Sequence, residues 1–275
     1  MNAQEKGRPA KNRTAIKSLL LSALRVFASS LFLSSAFAED KKPDEKKPGP
    51  PKVLVVLPLG IEAGTTNQLT VRGLDLTNAT RVRFIGSAET IEARITAREP
   101  GGKLDGFDAA KVGDQKLVVE FVAPSGAAPD LQVVVTSALG DSAPHPVVVV
   151  PAARLVDEKE PDNGFRDAQE IRPGQTVRGL IADPNDVDVF AVQVEAGRTL
   201  RAEVRAERLG GTLDGSLTLY SDKGQILATN DDSVGRDPVL QFRATVSGRY
   251  LIALSSVTEK AAATHAYLLE AILPP

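Results

Sequence analysis

No cysteine and no tryptophan occur among the 275 residues, and there are only two histidines, one methionine and three tyrosines. Without cysteine there can be no disulfide, thiolate nucleophile, iron–sulfur cluster or cysteine-ligated zinc. Aromatic residues make up 4% of the chain, which leaves little to stack on sugar rings or nucleobases. His145 and His265 are the only imidazoles. No His-Glu-x-x-His and no Gly-x-Ser-x-Gly pattern is found, so metalloprotease and serine hydrolase chemistry lack their parts. Glycine-rich nucleotide loops of the Gly-x-Gly-x-x-Gly or Walker type are missing as well. A pair of carboxylates could still serve a glycosidase, but without an aromatic platform for the sugar the expectation is a protein that is not an enzyme.

Long apolar runs are also scarce, and the one that occurs lies near the start. Lys6, Arg8, Lys11, Arg13 and Lys17 precede an apolar run from Leu19 to Phe37, and Ala36-Phe37-Ala38 has the A-x-A form of a cleavage site. Residues 1–38 are therefore expected to be a secretory signal peptide. Arg25 interrupts the run, and the stretch after it is too short to cross about 30 Å of hydrocarbon. The expected mature chain has no transmembrane segment and is exported, to the periplasm or beyond the cell. Residues 1–38 hold six of the 33 basic and one of the 35 acidic side chains, so the remainder carries 27 against 34, a net charge of −7. That balance offers no electrostatic footprint for nucleic acid. Next, residues 39–52 read EDKKPDEKKPGPPK; with nothing apolar to bury, they are expected to be a disordered, extended linker.

Two folded domains are expected after it, making the fold class all-β with two tandem sandwiches. Residues 53–151 contain short β-rich runs at Val53–Leu57, Gln68–Val71, Arg81–Ile85, Glu92–Thr96, Lys116–Val122, Leu131–Thr136 and Val147–Val150, separated by glycine and proline turn signals. Such spacing predicts a sandwich, with Leu104 to Asp114 as a loop or short helix. In residues 157–275, Leu200, Ala202, Val204 and Ala206 alternate with Arg201, Glu203, Arg205 and Glu207. This is the pattern of a strand with one buried and one wet face. Ser221-Asp222-Lys223-Gly224 predicts a hairpin turn.

Carboxylates concentrate at the entrance to the second domain. Glu158, Glu160, Asp162 and Asn163 flank Pro161, which keeps the backbone extended. In an extended segment, side chains two apart share a side, so Glu158, Glu160 and Asp162 can face one point. A second group, Asp183, Asn185, Asp186 and Asp188, crowds a turn at Pro184. Calcium takes about 6–8 oxygen ligands, and two such segments side by side would supply them. The same residue types also dominate ordinary solvated turns, and no EF-hand loop is present, so composition alone leaves both readings open.

Ordered motifs extend the argument. Glu158-Lys159-Glu160-Pro161-Asp162-Asn163-Gly164-Phe165, Asp186-Val187-Asp188-Val189-Phe190, Leu213-Asp214, Asn230-Asp231-Asp232 and Gly248-Arg249-Tyr250 together resemble the bacterial pre-peptidase C-terminal domain. That family has a jelly-roll-like β-sandwich, is appended to secreted proteases and other exported proteins, and includes the collagen-binding domains of clostridial collagenases. The resemblance implies a calcium site at Glu158, Glu160, Asp162 and Asn163, joined by Asp183, Asp186 and Asp188. In one departure, the family usually reads Asn-Asp where this chain has Asp162-Asn163. Collagen-binding relatives use exposed aromatics, whereas Tyr220, Tyr250 and Tyr267 are expected in the core here. The earlier motifs Pro58-Leu59-Gly60, Gly64-Thr65-Thr66, Val71 to Leu76 and Ala79 to Phe84 resemble the immunoglobulin-like IPT/TIG fold, whose members serve as spacers or adhesion modules. The combined expectation is an exported, non-catalytic binding or adhesion protein with a calcium-stabilised second sandwich that engages an extracellular polymer or exported protein. The alternative is a structural accessory that positions a separate secreted enzyme.

Overall fold

The computed structural model describes residues 47–275. The expected signal peptide (1–38) and the linker up to residue 46 lie outside the described residues. The described part is all-β and clusters as one unit, Lys47–Pro275.

The first sandwich contains β1 (Lys52–Leu57), β2 (Gly60–Glu62), β3 (Thr66–Leu74), β4 (Arg81–Ile85), β5 (Ile91–Pro100), β6 (Gln115–Val122), β7 (Asp130–Ser137), β8 (Gly140–Asp141) and β9 (His145–Val150). Eight of these strands hydrogen-bond in the order β1-β3-β6-β5-β4-β7-β9-β2, and β8 pairs with β7 off that path. β5 holds the two halves together: Ile91 to Ala93 pair with β4, and Arg94 to Pro100 pair with β6 across a register shift between Ile95 and Ala97. A bulge there bends the strand, so the sheet folds over a core that includes Leu69, Val71, Val82, Phe84, Leu117, Val119 and Val133. The Leu104 to Asp114 stretch contains one short helix, α1 (Ala109–Val112), capped by the Asp108 side chain.

Two five-stranded sheets make the second sandwich. One runs β10 (Leu155–Asp157), β12 (Thr176–Leu180), β19 (Ala266–Ile272), β14 (Thr199–Arg205) and β17 (Val239–Arg243). The other runs β11 (Gln169–Ile171), β13 (Val187–Val194), β18 (Gly248–Ser256), β15 (Gly215–Ser221) and β16 (Ile226–Asn230). The alternation read at residues 200 to 206 appears as β14, with Leu200, Ala202 and Val204 in the core. β15 and β16 form the expected hairpin, closed by Gly224 N–H donating to Ser221 O at 2.9 Å. Tyr250 and Tyr267 are buried as expected. Tyr220 differs: it lies on the outer face of its sheet, 4.9 Å from the Phe165 ring.

The outer face of β12 and β19 meets the first sandwich. Leu59, Val148 and Val150 from the first pack with Leu209, Ala266 and Leu268 from the second. Polar contacts frame this patch. Arg178 donates to Gly60 O at 2.9 Å, and the His145 ring nitrogen Nε2 donates to Leu209 O at 3.2 Å. Close approach explains Gly210, where a side chain would come within 2.5 Å of the His145 ring and 2.6 Å of Leu54 O.

Candidate metal centre

The chain reaches the second sandwich through β10 and then crosses from one sheet to the other over residues 158–168. Its carboxylates turn inward at that crossing. Glu158 follows β10; its N–H donates to Arg178 O on β12 at 3.1 Å, and its Oε2 accepts the Leu180 N–H at 2.7 Å. Asp162 is anchored to the opposite sheet by its carbonyl, which accepts the Val189 N–H of β13 at 3.1 Å. Asp188, on β13 itself, accepts the Tyr267 hydroxyl of β19 at 2.5 Å. Two sheets and the crossing loop thus each contribute to one spot.

Glu158, Glu160, Asp162 and Asp188 each offer a carboxylate oxygen, and these oxygens all lie within 4.8 Å of one another. Asp162 and Asp188 are 0% exposed. Both Asp162 oxygens, Asp188 Oδ1 and Glu158 Oε1 are buried without a hydrogen-bond partner. Leaving a buried carboxylate oxygen unpaired costs more than leaving a neutral polar group so, because the lost hydration is that of a charge. No lysine or arginine forms an ion pair with these four among the described residues. Loss of solvent, then the charge of Glu158, pushes Asp188 up to about 9, and the same two causes push Asp162 up to about 7. Burial also raises Glu158 and lifts the Tyr267 hydroxyl well above its ordinary value.

The remaining expected ligands sit elsewhere. Asp183 is exposed on the turn, and its carbonyl accepts the Asp186 N–H at 3.2 Å. Asp186 is buried, but its Oδ2 accepts the Ala182 N–H at 2.9 Å, so its carboxylate ties down the loop. The Asn163 amide nitrogen faces Val187 O at 3.1 Å and Asp186 Oδ1 at 2.7 Å, bracing the same turn. The Asp162-Asn163 order therefore puts the carboxylate inside the group and the amide beside it.

Two supporting residues had no motif to mark them. Tyr267 reads in sequence as a core aromatic, yet its hydroxyl holds Asp188. Gly179 faces inward on β12, where an added Cβ would lie 2.3 Å from the Tyr267 ring and hydroxyl and 2.4 Å from Glu158 Oε2. Position 179 lies two residues from the core residue Val177 and so shares its inward side, but only the fold shows which side chains fill that space. Asn230-Asp231-Asp232 is turn chemistry: Asn230 Oδ1 accepts Ser233 Oγ at 2.8 Å and Val239 N–H at 2.9 Å.

Comparison with known proteins bears on this half of the molecule. Residues 186–256 match the family model of the bacterial pre-peptidase C-terminal domain. The second sandwich carries that domain. The match includes Asp188 and begins after Glu158, Glu160 and Asp162. Pre-peptidase C-terminal domains are typically non-catalytic accessory domains. Among curated proteins, a probable subtilase-type serine protease of Deinococcus radiodurans is 36% identical over 126 residues, which cover 44% of this chain and 17% of the protease. The chain thus spans less than a fifth of that relative. Among solved structures, the pre-peptidase C-terminal domain of a Bacillus anthracis collagenase aligns with a TM-score of 0.32 at 17% identity, covering 38% of this chain and 93% of that domain. PliG of Aeromonas hydrophila, a periplasmic inhibitor of g-type lysozyme, aligns at 0.31 and 14% identity, covering 43% and 100%. The family match does not reach residues 53–151, so their likeness to the IPT/TIG fold rests on the sequence motifs. No helix among the described residues is long and apolar enough to cross a membrane.

Proposed function

We propose that this protein is an exported, non-catalytic binding module whose pre-peptidase C-terminal sandwich holds a calcium ion between Glu158, Glu160, Asp162 and Asp188. The observation that carries the ion is the set of buried, unpartnered carboxylate oxygens converging from both sheets. Oxygens bound to one calcium at 2.3–2.6 Å lie at most about 5 Å apart, which suits a group spanning 4.8 Å. Magnesium at 2.0–2.1 Å demands a tighter octahedron of roughly 4 Å across. The protein's own contribution is positional: Leu180 N–H fixes Glu158, the Tyr267 hydroxyl fixes Asp188, and β13 fixes the backbone of Asp162. Bound calcium would supply the missing positive charge and join the crossing loop to both sheets. Because Glu158 follows directly on the strand pairing that places Arg178 against Gly60 O, it would also stiffen the junction with the first sandwich.

An engaged extracellular polymer or exported protein is the binding role that fits two sandwiches with no assembled catalytic group. His145 serves the contact between the sandwiches, and His265 is buried against Phe107 with its rings 5.7 Å apart. The similarity to part of a subtilase-type protease supports the second reading, a module that accompanies a secreted enzyme. Isothermal titration with calcium, on the wild type and on Asp188→Asn, tests the ion. Saturable binding by the wild type that is lost in the variant supports it, and equal heats from both remove it. Pull-down of exported proteins against retention on polysaccharide columns separates the two roles.

A further inference from the structure

The second sandwich, residues 157–275, contains ten arginines and three lysines against nineteen carboxylates, yet its cations are not spread evenly. On β14 the core takes Leu200, Ala202 and Val204, so Arg201, Glu203 and Arg205 face outward. On the neighbouring β17, Leu240 and Phe242 pack on the core and Arg243 faces outward, paired directly with Thr199. Arg208, from the turn after β14, folds back over the same face to Glu203. Four arginines therefore share a face with two carboxylates, Glu203 and the directly opposite Glu270 of β19. Glu203 is the more deeply set, at 15% side-chain exposure against 27% for Arg201 and 26% for Arg208, so the guanidinium groups are what this pair of strands presents. Among the described residues, the ion pairs here engage Arg201, Glu203 and Arg208, with Arg208 also reaching Asp237, and do not include Arg205 or Arg243. The apolar contact with the first sandwich runs through β12, β19 and Leu209 in the turn after β14, and includes no residue of β14 or β17.

We propose that the outer face of β14 and β17 is a docking surface for a linear polyanionic polysaccharide, read by Arg201, Arg205, Arg208 and Arg243. This deepens the polymer-binding role above. Guanidinium is the group suited to planar carboxylate or sulfate oxygens, because its fork donates two parallel hydrogen bonds. From the level of Arg243, beside Thr199, to Arg205 is six residues of strand, roughly 20 Å at about 3.3 Å per residue. That reach spans several units of a polymer rather than one small anion. Large exposed apolar side chains, the usual anchors of a protein partner, are not among the residues of this face. Neither are aromatics that would stack nucleobases.

The test uses the full chain at low salt on columns bearing alginate (carboxylate), dextran sulfate (sulfate), neutral dextran and duplex DNA. The wild type is expected to be retained on alginate or dextran sulfate, which tells the two anion sources apart, to pass through neutral dextran, and to elute as salt rises. Arg205→Glu/Arg243→Glu is expected to weaken retention roughly tenfold with an unchanged thermal melt. Arg205→Lys/Arg243→Lys should recover only part of it, since the charge returns without the fork. Equal retention of the Glu variant overturns the proposal while leaving polymer binding to another face. Flow-through of the wild type on both anionic columns, or equal retention on DNA, overturns it as well. Chelating calcium is expected to leave retention intact, so this surface and the ion site fail separately.

Discussion

Each sandwich buries charge, and the two treat it differently. In the first, Arg72 on β3 lies inside the loop after β5, where its guanidinium donates to Val112 O at 2.7 Å, Gly102 O at 2.7 Å, Gly113 O at 3.0 Å and Gly101 O. Four of the five N–H groups of that cation are met by carbonyls. In the second, Asp162 and Asp188 are as deeply buried, yet both Asp162 oxygens and Asp188 Oδ1 have no hydrogen-bond partner. The same sandwich does satisfy a buried acid elsewhere. Asp237 accepts the N–H groups of Ala206, Glu207 and Arg208 at 3.0, 2.8 and 3.3 Å and meets Arg208 Nε at 3.4 Å. A chain that meets the charges of Arg72 and Asp237 with partners thus leaves buried oxygens of Glu158, Asp162 and Asp188 without any, within 4.8 Å of one another and of a Glu160 oxygen.

That contrast can be broken at several points. Arg72→Ala strands the buried carbonyls of Gly101, Val112 and Gly113 and should destabilise the protein by about 4 kcal/mol, equally with and without calcium; urea unfolding under both conditions measures it. At free calcium about 100 times its dissociation constant, the wild type should gain about 2.7 kcal/mol. Asp188→Asn should gain nothing from the ion, and in chelator at about pH 9 and above, where Asp188 of the folded wild type is ionised, it should be at least as stable as the wild type, because a buried charge has gone.

The pH dependence follows from the raised carboxyls. An unfolded aspartate loses its proton near its ordinary 3.8, whereas Asp162 holds it to about 7 and Asp188 to about 9. Between those limits the folded state binds more protons than the unfolded one, so stability in chelator should fall as pH rises from about 4 to about 9. Calcium requires the ionised acids, so its stabilising increment should grow over the same range. Melting temperatures at a low and a high pH in that window should fall with rising pH in chelator and stay nearly level in saturating calcium, where the acids are ionised in the folded state as they are in the unfolded chain. A flat profile in chelator would mean that the acids are solvated. Tyr267→Phe is the smallest change, about 1 kcal/mol for the lost hydroxyl, and should also weaken calcium binding by releasing Asp188.

Much of this was legible in one dimension. The outward arginines of β14 and the hairpin at residues 221 to 224 follow from period-2 patterning and turn chemistry, which act over a few residues. Seven of the strands in the first sandwich appear where the β-rich runs are, while the three-residue β2 and two-residue β8 carry too little pattern to be seen. Glu158, Glu160 and Asp162 could be placed on one side of an extended segment because that needs only local geometry. The division among Asp183, Asp186 and Asp188 could not, since all three crowd one short acidic stretch and look alike in sequence. Their fates differ because β13 begins at Val187 and aims Asp188 inward, while Asp186 is drawn to the Ala182 N–H.

The amino-acid order by itself determined that this is an all-β chain without thiol or imidazole machinery, with one acid-rich doorway and one strand that alternates arginine with core residues. Those properties depend on side-chain identity and on neighbours close along the chain. Only the tertiary structure decided which acids meet, that Tyr267 and Gly179 complete their setting, and that the apolar contact with the first sandwich includes β12 and β19 but no residue of β14 or β17. These contacts join residues from about 20 to more than 100 positions apart, and strand pairing and the packing of one sandwich on the other bring them together.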